Sequence, residues 1–141
     1  MPYSHHDGGR SAAGFKGEAD DCACRAIAIA MSRSYQDVYD DLNAWCWADR
    51  ATRRKKVSSA RTGVYADLMK QYMDAKGWVW VPVMKIGSGC TMHLRRDELP
   101  SGRIIASVSK HYVAVIDGVI YDTHDSTRDG TRCVYGYWRA S

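Results

Sequence analysis

Long apolar runs are missing from the chain: none approaches the roughly 18 to 20 consecutive apolar residues of a membrane-spanning helix. The first residues, MPYSHHDGGRSAAG, also lack the apolar core of a secretory signal peptide. Both absences argue against a membrane protein and an exported protein, and we predict a soluble protein in the cytoplasm. Phenylalanine is nearly absent too, with one Phe beside nine Tyr and five Trp, a mix that suits the wall of a groove or a small core.

Cysteines are too few, and odd in number, for a disulfide framework. The chain has five, and without an export signal we expect reduced thiols, as in a cytoplasm. Cys46, Cys90 and Cys133 do not lie at a predicted helix start, and we predict that they are packing thiols. The N-terminal pair, Cys22 and Cys24, then contains the candidate for a working thiol.

Acidic residues are absent from residues 50 to 61, where the positive charge is concentrated. Six of the twenty basic residues lie there, and the rest of the chain carries 14 basic and 16 acidic residues. A protein that binds nucleic acid across one face spreads its positive charge more widely, so we do not expect a nucleic-acid partner. A solvated loop that contacts substrate or a protein partner fits better. Its candidate contacts are Arg53, Arg54, Lys55 and Lys56.

The length of 141 residues suits one core but not two independent domains. Residues 1–17 are rich in Gly, Ser, Ala and His and show no apolar period, which predicts a flexible N-terminal arm. Residues 18–141 are predicted to form a single domain. Apolar residues at helical spacing predict helices that begin at Asp21, after Ser34 and at Thr62, with Gly77 ending the third.

After Gly77 the pattern becomes extended, and the remaining elements are predicted strands. They are Trp78 to Val83, Arg103 to Val108, His111 to Ile116, Val119 to Tyr121 and Cys133 to Trp138. Pro82 places the first of them at a sheet edge, and Asp117-Gly118 predicts a tight hairpin turn. Helices followed by strands, without alternating βαβ units, indicate an α+β protein with N-terminal helices packed on an antiparallel sheet.

Three residues form the strongest candidate site. Cys22 lies at the start of an apolar helix, where free N–H groups and the helix dipole stabilise a thiolate. His111 opens one predicted strand and Asp122 closes the next. Counting back from the turn brings Asp122 within about one residue of the position opposite His111. Cys22 would then be a nucleophile, His111 its base and Asp122 the group that orients the imidazole.

The segments DDCACRAIAIA and SKHYVAVIDGVIYDTHD resemble the papain-like cysteine peptidase fold in compact versions such as bacteriocin-processing peptidase domains. Those proteins carry Cys on an N-terminal helix, His on a strand, and Asp or Asn after the following strand. The same order occurs here at Cys22, His111 and Asp122. From about residue 20 to residue 138, the layout is also similar to small uncharacterised proteins of tailed bacteriophages. The resemblance implies a papain-like fold, a Cys-His-Asp triad and a phage protein acting in the bacterial host cytoplasm.

The resemblance also suggests the surroundings of the triad. Papain-like peptidases usually have a Gln about six residues before the nucleophile as an oxyanion donor, and Lys16 occupies that position here. Lys16 or the backbone N–H of Cys22 is therefore the expected donor. Tyr112 or Trp138 is expected to line the cleft, and Lys110, beside the base, to lower the pKa of His111.

Other assignments of these residues remain open. Cys24 is an alternative nucleophile, although it lies about 200° around the helix from Cys22. His124 is an alternative base, although His111 is better placed on its strand. A zinc site from Cys22, Cys24 and either histidine is disfavoured because two cysteines separated by one helical residue point apart.

We therefore predict a cysteine-dependent hydrolase or acyl-transfer enzyme, without metal or cofactor, acting on a peptide, isopeptide or amide. The alternative is a non-catalytic phage protein of the same fold that binds a bacterial host protein, and the absence of the oxyanion Gln favours it.

Overall fold

The computed structural model describes residues 3–15, 21–50, 59–61, 63–84, 87 and 89–140. They form three helices and six strands. In chain order these are β1 (Tyr3–His5), α1 (Cys22–Met31), α2 (Tyr35–Arg50), α3 (Ala66–Ala75), β2 (Trp78–Pro82), β3 (Arg103–Val108), β4 (His111–Ile116), β5 (Val119–Asp122) and β6 (Gly136–Ala140). The chain is thus an α+β protein. No helix among these residues is both long and apolar enough to span a membrane.

The strands form one mixed sheet in the order β1-β5-β4-β3-β6-β2. Strands β3 and β4 have the predicted bounds, and the turn at Asp117-Gly118 pairs Ile116 with Val119 as predicted. Both turn residues have positive φ, 48° and 78°, as a type I′ hairpin requires, and Asp-Gly adopts this conformation readily. Strand β2 lies at an edge, where the missing N–H of Pro82 costs no ladder hydrogen bond.

The first strand departs from the sequence prediction. An arm without regular structure was expected over residues 1–17, but Tyr3–His5 pairs in parallel with β5 and makes the sheet mixed rather than antiparallel. His5 lies opposite Asp122, and the N–H of His6 donates to the Asp122 carbonyl at 2.8 Å. The segment that follows packs on α1: a Cβ on Gly8 would lie 3.1 Å from the Cα of Arg25. The N-terminal segment is therefore anchored beside the candidate site.

The helices begin where local hydrogen bonds allow. Ser34 caps α2 as predicted, since its Oγ accepts from the N–H of Asp37 at 3.1 Å. Helix α3 begins at Ala66, and Thr62, its predicted start, lies outside the described residues. Val64, which falls within the predicted helix, precedes α3 and lines the cavity described below.

The core has two parts, one on each face of the sheet. On one face, the three helices pack their apolar sides against β3, β4 and β6. The other face is covered by the connection between β2 and β3 and by Val134, with Leu94 as the largest fully buried side chain of this cover. The sheet is thus buried on both faces, which explains the nearly continuous apolar sequences of β3 and β4.

The cysteine prediction was wrong for one pair. Cys90 and Cys133 form a disulfide instead of serving as packing thiols. The disulfide links the connection between β2 and β3 to the segment before β6. The two residues are 43 positions apart, so only the tertiary structure brings them together. Cys22, Cys24 and Cys46 remain free.

Candidate active site

Cys22 is the first residue of α1 and lines a cavity with a volume of about 790 Å³. All five cysteines lie within the described residues, and of the three free ones only Cys22 is not buried. The start of a helix offers N–H groups that have no intrahelical acceptor. Cys22 therefore combines access from the cavity with the positive end of the helix dipole.

Asp21 lies directly before Cys22, yet its carboxylate does not cap the helix. It is 1% exposed and forms an ion pair with Arg25, one turn along α1. The Tyr35 hydroxyl donates to it at 2.6 Å, and the Nε of Arg10 lies 3.5 Å away. Because these partners fix the carboxylate inside the fold, it leaves the N–H groups of the first turn to other acceptors.

His111 and Asp122 are joined by a hydrogen bond, which the hairpin count permits. Continuing the observed register places Val113 opposite Asp122, and His111 lies two residues away on the same strand. The Nε2 of His111 and the Oδ2 of Asp122 are 2.6 Å apart. Cys22 and His111 line the same cavity, and Cys22 is close enough to help raise the pKa of the imidazole. Because Nε2 faces Asp122, Nδ1 is the nitrogen left for the sulfur. The structure thus brings all three predicted residues together.

The pKa of His111 follows from these contacts. Burial by itself lowers it and is the largest single effect, but the hydrogen bond and charge of Asp122, together with the effect of Cys22, outweigh burial and raise the pKa of His111 from 6.5 to about 9. The ring is therefore an imidazolium at neutral pH. The net shift is upward, so any lowering by Lys110 does not decide the pKa of His111.

Asp122 is held ionised by its surroundings. Burial by itself raises its pKa, but the hydrogen bond and charge of His111, together with the Thr123 N–H at 2.7 Å, hold the pKa of Asp122 below its usual value. The Ser126 hydroxyl donates to Oδ2 at 3.1 Å, and the Nη2 of Arg25 lies 3.5 Å from Oδ1. These partners fix the carboxylate that orients His111.

The alternative nucleophile points elsewhere. Cys24 is fully buried, and its sulfur lies 3.9 Å from the carbonyl oxygen of Tyr35. Burial, with a smaller contribution from the charge of Asp21, raises the pKa of Cys24 to about 12. Neither the role of nucleophile nor a zinc site shared with Cys22 suits a thiol in that position.

His124, the alternative base, is exposed and stacks near His111 with ring centroids 5.3 Å apart. Its Nδ1 lies 3.4 Å from the Thr123 hydroxyl, and among the described residues it makes no hydrogen bond to Cys22 or Asp122. The geometry therefore favours His111 as the base. His124 lies on the cavity wall instead.

Of the two aromatic residues predicted to line the cleft, only Tyr112 does so. Tyr112 lines the cavity, and burial, together with the charge of Cys22, raises its pKa to about 12. Trp138 does not line it: this side chain is 2% exposed and packs behind Tyr112, with ring centroids 5.8 Å apart. Trp138 is thus a core residue, because it alternates to the sheet face that the helices cover. Lys16, Arg53, Arg54, Lys55 and Lys56 lie outside the described residues.

Sequence reasoning missed the residues that support the triad. Arg25 joins the two buried carboxylates, Asp21 and Asp122, and so connects the start of α1 to the end of β5. One signal was available: Arg25 interrupts an otherwise apolar helix one turn after Cys22, and a buried Arg requires an acidic partner.

No protein-family model matches the chain, and neither the curated proteins nor the solved structures to which it was compared include a match.

Proposed function

We propose that the chain is a cysteine-dependent acyl-transfer enzyme of papain-like fold that hydrolyses a peptide, isopeptide or amide bond. One observation carries the proposal: His111, which is hydrogen-bonded to Asp122, lines the same cavity as Cys22, and Cys22 helps raise the pKa of its imidazole. An accessible thiol at a helix start, a buried imidazole and an ionised carboxylate are the three parts of an activated nucleophile.

In the first half-reaction, the Cys22 thiolate attacks the substrate carbonyl carbon and the carbonyl electrons move to oxygen. The backbone N–H of Cys22 lies at the positive end of α1 and is the donor we assign to that oxyanion. When the intermediate collapses, the imidazolium of His111 donates its Nδ1 proton to the departing amine. An acyl thioester on Cys22 and a neutral imidazole remain.

In the second half-reaction, neutral His111 accepts a proton from water while the water oxygen attacks the thioester carbon. Cys22 leaves as a thiolate, and the carboxylic acid product departs. The imidazolium and thiolate are thereby restored. Asp122 stays ionised throughout and keeps Nε2 of the ring fixed, so that Nδ1 remains directed at the sulfur.

The papain-like assignment rests on the order of the three residues and on their elements. The Cys starts a helix, the His opens a strand, and the Asp ends the following strand of the same hairpin. Encoding by a bacteriophage and action inside a bacterial host belong to this proposal as the setting that the resemblance suggests. Within the described residues, the assembled triad favours the enzyme over a protein that only binds a host factor.

The test uses p-nitrophenyl acetate as an acyl donor at pH 6 in a stopped-flow instrument. The protein will release a burst of about one equivalent of p-nitrophenolate, and mass spectrometry will locate the acetyl group on Cys22. Cys22→Ala will abolish the burst. Cys46→Ala, which removes a buried thiol of α2, will retain it. A burst that survives Cys22→Ala, or an acetyl group attached to another residue, would refute the proposed nucleophile.

A further inference from the structure

A second group of metal-ligating side chains lies outside the candidate active site, on the cover over the sheet face opposite the helices. It contains Cys90, His93 and Cys133, whose potential ligand atoms all lie within 4.8 Å of one another. The Nε2 of His93 is 3.5 Å from the sulfur of Cys90. Thiolates and imidazole are the ligands that zinc prefers, and the two-residue spacing between Cys90 and His93 is common in zinc sites.

The backbone holds His93 and Cys133 together independently of the disulfide. His93 and Cys133 are partners in an antiparallel β-bridge. On either side of it, the N–H of Leu94 donates to the Arg132 carbonyl at 2.8 Å, and the N–H of Val134 donates to the Met92 carbonyl at 2.9 Å. Side chains opposite each other in such a pair are neighbours, so reduction of the disulfide leaves the Cys133 thiol close to the imidazole. Cys90 precedes His93 by only three residues, which keeps its thiol within reach of the same ring.

Glu98 orients the histidine. Its Oε1 lies 3.2 Å from the Nδ1 of His93 and also accepts from the backbone N–H of the same residue at 3.2 Å. With the Nδ1 proton directed at the carboxylate, Nε2 keeps its lone pair toward the sulfurs. Metal-binding histidines are commonly fixed by a carboxylate in this way.

We propose that reduction converts the Cys90–Cys133 disulfide into a zinc-binding site completed by His93. A dithiol reductant supplies two electrons and two protons, so the S–S bond breaks, two thiols form and the reductant becomes a disulfide. Zn²⁺ then binds both sulfurs and the Nε2 of His93, and the two thiol protons pass to solvent. Three protein ligands leave a fourth position for water.

The site fixes the cover in either redox state. Under oxidising conditions the disulfide joins the connection between β2 and β3 to the segment before β6, and under reducing conditions zinc makes the same link. The buried cluster that contains Leu94 and Val134 lies under that link. The sequence prediction of a metal-free chain considered only the N-terminal cysteines.

The test is a zinc titration of the full chain carrying Cys22→Ala, which removes the accessible thiol of the candidate active site. The chain is reduced with a phosphine, which becomes the phosphine oxide, and freed of excess before calorimetry with zinc chloride. The reduced chain will bind one zinc ion, and the oxidised chain will bind it at least 100-fold more weakly. Cobalt(II) in place of zinc will give the absorption of thiolate-to-metal charge transfer.

In the same reduced background, Cys90→Ser and His93→Ala will each weaken zinc binding at least tenfold, whereas Cys46→Ala will leave it unchanged. His93→Ala retains both sulfurs and can be checked for folding in its oxidised form. Absence of zinc binding, equal binding by the reduced and oxidised chains, or unchanged binding by His93→Ala would each overturn the site. Because every chain in this test lacks Cys22, its outcome is independent of the proposed acyl transfer.

Discussion

Asp122→Ala will lower the rate constant of the p-nitrophenyl acetate burst by about 10²- to 10⁴-fold at pH 7. The substitution removes the hydrogen bond and the charge of Asp122, which raise the pKa of His111 and fix its ring, so the pKa of His111 falls and the ring is free to rotate. Without the imidazolium, Cys22 loses the group that holds its thiolate and aligns it with the substrate.

Two further variants separate orientation from folding. Asp122→Asn keeps an oxygen that can accept from Nε2 of His111. We expect its burst rate constant to be at least tenfold higher than that of Asp122→Ala. Ser126→Ala removes only one donor to the same carboxylate and will change the rate less than tenfold. If Asp122→Ala acylates as fast as the unmodified chain while its circular dichroism is unchanged, Asp122 has no role in the reaction.

His111→Ala will slow the alkylation of Cys22 by iodoacetamide roughly 10- to 100-fold at pH 6. An ordinary cysteine is only about 0.3% thiolate at this pH, whereas a cysteine paired with an imidazolium reacts largely as thiolate. The effect of His111 on the alkylation rate is smaller than its effect on the thiolate fraction, because a stabilised thiolate is a weaker nucleophile. Mass spectrometry of the digested protein measures the modification at each cysteine separately.

His124→Ala is the matched control for that experiment. Its ring lies beside His111 but makes no hydrogen bond to Cys22 or Asp122 within the described residues, so alkylation of Cys22 will change less than threefold. The buried thiols Cys24 and Cys46 serve as internal references in every sample. If His124→Ala slows the reaction more than His111→Ala does, the base has been assigned to the wrong histidine.

The sheet centre and the pair His111–Asp122 could be predicted because their signals are local. Strands β3 and β4 are continuous apolar runs with β-branched residues, and Asp117-Gly118 fixes the hairpin register on its own. Once the register is known, the proximity of His111 and Asp122 follows by counting. The position of Cys22 follows equally from the helical pattern that begins beside it.

The features that sequence reasoning missed depend on tertiary contacts. Strand β1 has three residues and no period of its own, and it forms because β5 offers an unpaired edge. Asp21 occupies the position expected of a helix cap, but Arg25 and Tyr35 draw its carboxylate into the interior. The disulfide requires two segments 43 residues apart to meet across a backbone bridge. Local patterns contain none of this information.

The protonation state of His111 tests the central claim most directly. Nitrogen-15 NMR of the imidazole ring, assigned by comparison with His111→Gln, measures its titration in the intact chain. The account predicts that His111 remains an imidazolium at pH 7 and titrates with a pKa of about 9, because Asp122 and Cys22 both favour the charged ring. A pKa at or below 6.5 would show a neutral ring at pH 7 and would contradict the proposed ion pair with Cys22.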